Sequence, residues 1–149
     1  MRRISIAALL MLLLAFCVGA APSRGSAKGM RGIIRRQCGP ADGPALGLYL
    51  ASKPFACGSV RMPHISIGIW DDLPTSAPKT YVIRPSAALG ISRCSTADAC
   101  INATAGKLTF DTLQNGKGAS GSYEFEFADG RRESGRFDVT WCEYRELCG

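Results

Sequence analysis

The chain has 149 residues, 46% of them hydrophobic, and a formal net charge of +6. This length supports one hydrophobic core and is too short for two domains. The positive charge is concentrated before Cys38, because the residues from Cys38 onward hold 11 Lys and Arg against 12 Asp and Glu, a net charge of −1. No aromatic residue is interleaved with the basic residues, so the composition predicts no nucleic-acid-binding surface.

The first twenty residues are predicted to be a secretory signal peptide. Arg2 and Arg3 precede an apolar run of 15 residues, Ile4–Val18, and small residues precede a cut after Ala20. The run is too short for a membrane span. We therefore expect an exported protein, periplasmic or secreted, with no membrane-spanning segment.

Residues 21–37 are predicted to form a flexible basic arm. This segment has five basic residues and no acidic residue, and its first part is rich in Gly, Ser and Ala. It lacks the apolar content needed to order itself. An arm of this composition would be attracted to anionic envelope polymers or lipid head groups. The folded domain is accordingly predicted to comprise residues 38–149.

Six cysteines remain once Cys17 leaves with the signal peptide: Cys38, Cys57, Cys94, Cys100, Cys142 and Cys148. An even number of cysteines in an exported domain predicts disulfide bonds. A zinc site is not expected, because the chain has no C-x2-C pair and His64 is its only histidine. No metal or other cofactor is predicted.

Spacing favours some of the 15 possible cysteine pairings over others. Cys94 with Cys100 and Cys142 with Cys148 are each separated by five residues, which leaves Cys38 with Cys57. The rival arrangement joins Cys38 to Cys148 and clamps the two ends of the domain.

The first half of the domain contains several strand candidates. Alternating apolar residues mark strands at 46–50, 64–70 and 79–84, and 87–91 is a short strand or a turn. Residues 95–103 are small and polar, and they are predicted to form one helical turn held between Cys94 and Cys100.

The C-terminal third is predicted to be a three-strand meander with one apolar face. A strand over 107–113 is followed by Asn115-Gly116, a strong hairpin signal. A two-residue loop there pairs Phe110 with Gly121 and Leu108 with Tyr123. Lys107 then opposes Glu124 on the outer face, which gives a pair of opposite charges.

The second hairpin needs one extra residue to keep its apolar residues on one face. A three-residue loop over 128–130, with Gly130 left-handed in a bulge, makes Phe127 face Arg131 and Gly121 face Phe137. A bulge at Ser134-Gly135 would serve equally well. The buried face then contains Phe110, Tyr123, Phe125, Phe137, Val139 and Trp141.

A meander with one apolar face must be covered by the other strands. The fold class is therefore all-β: a small antiparallel sandwich or partly closed barrel of six to eight strands, stapled by disulfides.

Few residues stand out as functional candidates. Trp70 and Tyr81 flank a proline-rich loop and are candidates for a ligand-facing patch, together with Asp71 and Asp72 at the end of a strand. No catalytic residue is assigned, because the lone His64 has no visible partner and the cysteines are paired.

The leading functional hypothesis is an exported, non-catalytic binding module that acts on a macromolecule, either an envelope polymer or a secreted protein. An inhibitor-like protein is one form of this hypothesis. One alternative is a small secreted hydrolase that uses Asp71 or Asp72 with a second carboxylate. The other is a structural envelope protein that uses its basic arm.

Overall fold

The computed structural model describes residues 29–70, 73–84 and 89–143. The predicted signal peptide, Asp71, Asp72 and Cys148 lie outside these ranges. The described residues form eight strands and one short 3-10 turn. The strands are β1 Met30–Cys38, β2 Pro44–Ala51, β3 His64–Ile69, β4 Lys79–Val82, β5 Leu89–Thr96, β6 Ala99–Gln114, β7 Gly118–Phe127 and β8 Arg132–Cys142. Within these ranges no helix is long and apolar enough to span a membrane.

Seven of the strands close into a barrel, and β4 is an additional strand beside β6. Around the barrel the order is β6, β5, β3, β2, β1, β8 and β7, and β7 pairs with β6 again. Barrel strands that follow one another in the chain run antiparallel. Because the barrel has seven strands, an odd number, its first strand in the chain, β1, and its last, β8, run in the same direction. The β1–β8 pair is accordingly parallel. The predicted all-β fold is confirmed, with a closed barrel as its architecture.

Residues 30–37 belong to the barrel, so the prediction that the flexible arm extends to residue 37 is wrong for them. They form most of β1, which pairs with β2 on one side and with β8 on the other. Ile33 and Ile34 are both buried, although consecutive residues of a strand point to opposite faces. Ile34 lies in the barrel interior, whereas Ile33 packs under the β2–β3 loop with Phe55. Burial on both faces removes the alternation by which a strand is recognised in a sequence.

The barrel interior is filled with apolar side chains, and the predicted apolar face of the meander is part of it. The six residues predicted to share that face are all buried in one cluster. The rings of Phe110 and Phe137 meet edge to face, with centroids 5.7 Å apart. Tyr123 and Phe125 stack with centroids 5.2 Å apart. This packed interior is continuous with Leu and Ile side chains from β2, β3 and β5.

The predicted register of the β7–β8 hairpin is confirmed. Gly121 lies opposite Phe137. The backbone N–H of Phe127 donates to the carbonyl of Arg131 at 2.9 Å, which closes a three-residue loop. Gly130 has a φ of 78°, the left-handed conformation that the extra residue requires.

The β6–β7 hairpin reaches its predicted strand pairing by a different turn. Leu108 lies opposite Tyr123 and Phe110 opposite Gly121, as expected. The loop, however, comprises residues 115–117, so Gln114 pairs with Gly118 rather than with Lys117. The register shifts between Phe110 and Thr112, and this bulge compensates for the extra loop residue.

Residues 95–103 form a tight hairpin, not the predicted helical turn. β5 runs to Thr96 and β6 begins at Ala99, and the disulfide between Cys94 and Cys100 links residues directly opposite each other. The pairing of β5 and β6 provides hydrogen bonds for the polar residues that looked helical in isolation.

The disulfide bonds confirm one predicted pairing and overturn two. Cys94–Cys100 is as predicted, but Cys57 bonds with Cys142, so neither Cys38–Cys57 nor Cys142–Cys148 exists. Cys38 is itself disulfide-bonded. Local spacing misled because the β2–β3 loop folds over the outside of β1, where Cys57 reaches the end of β8. The Cys57–Cys142 bond therefore fixes this loop on the barrel wall.

Candidate functional site

Trp70 lies on the outer surface of the barrel, over two glycines. Gly68 on β3 and Gly90 on β5 are directly paired. A Cβ atom added at Gly68 would lie 3.0 Å from the Cζ3 atom of Trp70, and one added at Gly90 would lie 2.7 Å from its Cη2 atom. The six-membered ring of the indole thus occupies the space that side chains at these positions would fill. Trp70 as a whole remains partly exposed.

A third glycine extends this arrangement to β2. Gly47 pairs with Gly68, and an added Cβ there would collide with the side-chain amide of Gln37. The Nε2 atom of Gln37 is 3.7 Å from the Cβ position of Gly68. We call Gly47, Gly68 and Gly90 the glycine row. Glycine inside a strand often marks a close approach of another group, and here the approaching groups are an indole and an amide.

A row of polar residues runs beside the glycine row, two residues along each strand. It contains Tyr49 on β2, Ser66 on β3, Ser92 on β5 and Asn102 on β6, each opposite the next. The Ser92 hydroxyl donates to the Oδ1 atom of Asn102 at 2.8 Å. We call these four residues the polar row, and the two rows together with Trp70 and Gln37 the outer binding face.

Tyr49 joins the polar row to the groups around it. Its hydroxyl donates to the Oε1 atom of Gln37 at 2.9 Å. The guanidinium of Arg35 lies 5.1 Å from the centre of the Tyr49 ring and donates to its hydroxyl at 3.3 Å. The His64 ring lies 5.9 Å from the Tyr49 ring and is nearly buried. These contacts orient the Tyr49 and Gln37 side chains on the outer binding face.

The opposite side of the barrel carries charged side chains, which point outward and form ion pairs. Lys107 pairs with Glu124 at 3.3 Å, as predicted, and Arg132 pairs with Glu126 at 2.8 Å. Other pairs join Arg136 to Asp111 and Arg31 to Asp138. The β6–β7–β8 wall is thus a solvated charged surface, whereas none of the residues in the glycine and polar rows is charged.

The structure does not bring Trp70 and Tyr81 together into one patch. Trp70 lies on the outer face, but Tyr81 on β4 packs toward the core, where its ring meets that of Phe110 edge to face with centroids 6.2 Å apart. Asp71 and Asp72 lie outside the described residues, so the structure does not place the predicted carboxylate pair. Of these candidates, only Trp70 is located by the structure on an outward face with neighbouring polar groups.

One open end of the barrel has a second cluster of functional groups. The guanidinium of Arg93 donates to Glu133 at 2.9 Å and to Asp129 at 2.6 Å, and it lies 4.8 Å from the centre of the Phe127 ring. A cavity of about 320 Å³ adjoins this cluster and is also lined by Met30. Both carboxylates already form ion pairs with the Arg93 guanidinium. The cluster therefore covers this end of the barrel with paired polar groups.

Burial and this ion cluster shift the ionisation of nearby groups. Hydrogen bonding to Glu133 is the main cause that raises the pKa of the Arg93 guanidinium. For Asp129, burial opposes ionisation, but hydrogen bonds from the Arg131 N–H and from Arg93 prevail and lower its pKa. Burial, aided by the Glu133 carboxylate, raises the pKa of Tyr123 to about 12. All of these groups therefore keep their usual charge at neutral pH.

Residues 29–70, 73–84 and 89–143 contain no group of three His, Cys, Asp or Glu side chains that could hold a metal ion. Comparison with protein-family models, with characterised proteins and with solved structures finds no match for this chain. The assignment of a function therefore depends on the geometry of the site itself.

The outer binding face was missed in the sequence, although a signal for it is present. Gly47, Gly68 and Gly90 each lie between two apolar residues. In a strand, such neighbours point inward, so each glycine must point outward. Three outward glycines in separate strands suggest a surface with room for another group, but only the strand register shows that they form one row.

Proposed function

We propose that this chain is an exported binding module that holds a macromolecule on its outer binding face and does no chemistry on it. The carrying observation is the position of Trp70, which remains partly exposed while its indole rests on Gly68 and Gly90. Tryptophan and tyrosine are enriched at binding surfaces because they combine a large apolar area with a polar group.

The distribution of charge supports this location. Binding surfaces are depleted of charged residues at their centre. On this barrel, ion pairs cover the β6–β7–β8 wall, while the glycine and polar rows hold only neutral residues. An extended neutral surface of this kind can contact a partner without the desolvation of charges.

Export is supported by the disulfide bonds and by the predicted signal peptide. The bonds Cys57–Cys142 and Cys94–Cys100 are compatible with an oxidising compartment. We propose that the protein meets its partner in the periplasm or outside the cell.

The test measures retention of the purified full chain by the high-molecular-mass fraction of the envelope and of the medium of its source. Wild-type protein should co-elute with part of that fraction in size-exclusion chromatography. The Trp70→Ala variant should lose most of this retention while keeping the same far-ultraviolet circular dichroism. The control is Tyr81→Ala, which removes another half-buried aromatic ring that does not lie on the outer binding face. Equal retention of the wild-type protein and Trp70→Ala, or no retention of the wild-type protein, would contradict the proposal.

A further inference from the structure

We propose that the macromolecule held on the outer binding face is a neutral glycan chain. This inference rests on the proposed binding function and adds the chemistry of the partner. A pyranose ring would pack against the exposed part of Trp70, and its hydroxyl groups would bond with Gln37 and the polar row.

The first argument comes from the types of side chain present. A pyranose presents C–H groups on its ring faces and hydroxyl groups at its edge. The C–H groups carry a slight positive charge and are attracted to the negative face of an indole. Ser, Tyr, Asn and Gln side chains can both donate and accept hydrogen bonds, which suits hydroxyl groups that also do both. The outer binding face combines these two kinds of contact within adjacent rows.

The second argument comes from charge. The glycine and polar rows contain neither a carboxylate nor an ammonium group. The guanidinium of Arg35 lies over the Tyr49 ring and bonds with its hydroxyl. Neither row itself offers partners for the regularly spaced charges of a strongly acidic or basic polymer, and a charge without a partner is costly at a desolvated surface. A neutral polymer has no such cost.

The third argument separates a glycan from a protein partner. The centre of a protein–protein interface is usually rich in apolar area. Neither the glycine row nor the polar row contains an aliphatic side chain. Among the described residues, the large hydrophobic side chains that are most exposed are Met62 and Val82, and neither belongs to the two rows. A surface made of one indole, one phenol and neutral polar groups favours a polyhydroxylated ligand.

The fourth argument concerns spacing. Adjacent strands are about 4.8 Å apart, so the four residues of the polar row span about 14 Å. The spacing of about 4.8 Å between neighbouring hydrogen-bonding groups of the polar row is comparable with the length of one pyranose unit in an extended chain. The polar row could therefore contact successive sugars of one chain, while Trp70 packs against one of them.

The direct test uses the fluorescence of Trp70. The chain has two tryptophans, and Trp141 is buried in the barrel. In a Trp141→Phe background, the emission of Trp70 is followed while the β-1,4-linked hexasaccharides of glucose and of N-acetylglucosamine are added. We expect a saturable change in emission with at least one of them. Dextran sulfate, a sulfated polysaccharide, should give at least about tenfold weaker binding.

Two variants of the outer binding face then locate the contact. Trp70→Ala should weaken binding of the responding hexasaccharide at least about tenfold in calorimetry. Gly90→Ala keeps the indole but places a methyl group 2.7 Å from its Cη2 atom, so the ring must move. Binding should weaken severalfold with little change in melting temperature. The matched control is Gly43→Ala, whose added Cβ would meet its nearest atom at 3.7 Å, an ordinary contact.

A chemical treatment separates failure of this inference from failure of the proposed function. Periodate cleaves the vicinal diols of 1,4-linked glucose. Chains of 1,4-linked N-acetylglucosamine have no internal vicinal diol, so chitinase is used to hydrolyse them, and a protease removes proteins. If the retaining high-mass fraction loses its effect after periodate or chitinase and keeps it after protease, the glycan proposal is supported. If retention depends on Trp70 but is lost after protease and survives both periodate and chitinase, the partner is a protein, and the glycan proposal is wrong although the binding function stands. A lack of response to both hexasaccharides together with that result would overturn the glycan proposal.

Discussion

Arg93 on β5 and Glu133 on β8 meet across the open end of the barrel, although their strands are not neighbours. The Nη1 atom of Arg93 is 2.9 Å from the Oε1 atom of Glu133, and the two side chains are mostly buried. β6 and β7 lie between the two strands on one side of the barrel. The ion pair therefore ties together parts of the barrel wall that no backbone hydrogen bond connects.

The first prediction is that Arg93→Met lowers the free energy of unfolding by about 2 kcal/mol. The substitution keeps apolar length over Phe127 but leaves Asp129 and Glu133 without their shared cation. The control is Arg132→Met, whose exposed pair with Glu126 should contribute about 0.5 kcal/mol or less. Urea denaturation of the wild-type protein and the two variants measures both effects. Equal decreases in the free energy of unfolding would show that the Arg93 ion pairs stabilise the fold no more than an exposed pair does.

The second prediction concerns pH and His64. Burial lowers the pKa of the His64 imidazole, an effect only partly offset by a hydrogen bond with the Arg61 backbone. The unfolded chain, with an ordinary pKa of about 6.5, then binds a proton more readily than the folded protein. The free energy of unfolding is not reduced by His64 above pH 6.5, and it should decrease as the pH falls from 6.5 toward 5. Denaturation curves at several pH values measure this slope.

The matched variants for this pH dependence are His64→Gln and Asp129→Asn. The first should remove most of the slope between pH 6.5 and 5. The second should leave that slope in place, because the lowered pKa of Asp129 makes its contribution disappear only at lower pH, from about 4 downward. An unchanged slope in His64→Gln would mean that another group titrates.

The third prediction compares the two disulfide bonds. In the chain-entropy model, a bond that closes 85 residues stabilises by about 4.5 kcal/mol, and one that closes 6 residues by about 2 kcal/mol. Replacing both Cys57 and Cys142 by Ala should therefore cost clearly more than replacing Cys94 and Cys100. Guanidinium denaturation of the two double variants gives the difference. A larger loss for the Cys94–Cys100 pair would contradict it.

The fourth prediction uses two neighbouring residues of β7. Phe125 is buried in the barrel, so Phe125→Ala should cost about 3–5 kcal/mol. Glu126 points outward and pairs with an exposed arginine, so Glu126→Ala should cost well under about 1 kcal/mol. Thermal unfolding of both variants tests the alternation of inward and outward residues along this strand.

The fifth prediction isolates backbone conformation at Gly130. No atom lies within 4 Å of an added Cβ there, yet the residue has a φ of 78°. Gly130→Val should therefore destabilise through the left-handed conformation alone, by about 1–2 kcal/mol. Gly130→Asn should cost less, because asparagine tolerates this conformation better than a β-branched residue does. Equal costs for the two variants would point to a steric cause instead.

The C-terminal half of the fold could be predicted because its alternation is unbroken. Phe137, Val139 and Trp141 alternate along β8 and mark its buried face. The glycine at position 130 favours a turn whose register keeps this face buried. Here local pattern and turn chemistry agree that the apolar residues of β7 and β8 share one face, and the structure selects the extra residue at Gly130 over one at Ser134-Gly135.

The position of β1, the pairing of Cys57 and the glycine row could not be predicted, because they depend on contacts between distant parts of the chain. Ile33 and Ile34 are buried on opposite faces of β1, so that strand shows no alternation. Cys57 reaches Cys142 only because the β2–β3 loop folds over the barrel wall. For the same reason, Trp70 could be chosen as a candidate from the sequence, but the row of glycines beneath it could not.

The parallel pairing of β1 with β8 also has a consequence for how the molecule forms. Arg31 and Asp138, which form an ion pair between these strands, are separated by 107 positions in the chain. Such a non-local contact raises the contact order, and proteins with high contact order fold slowly. Until β8 is in place, β1 and β7 both present unpaired edges, which are sites of aggregation. The vulnerable period of this protein is therefore the interval between synthesis of β1 and arrival of β8.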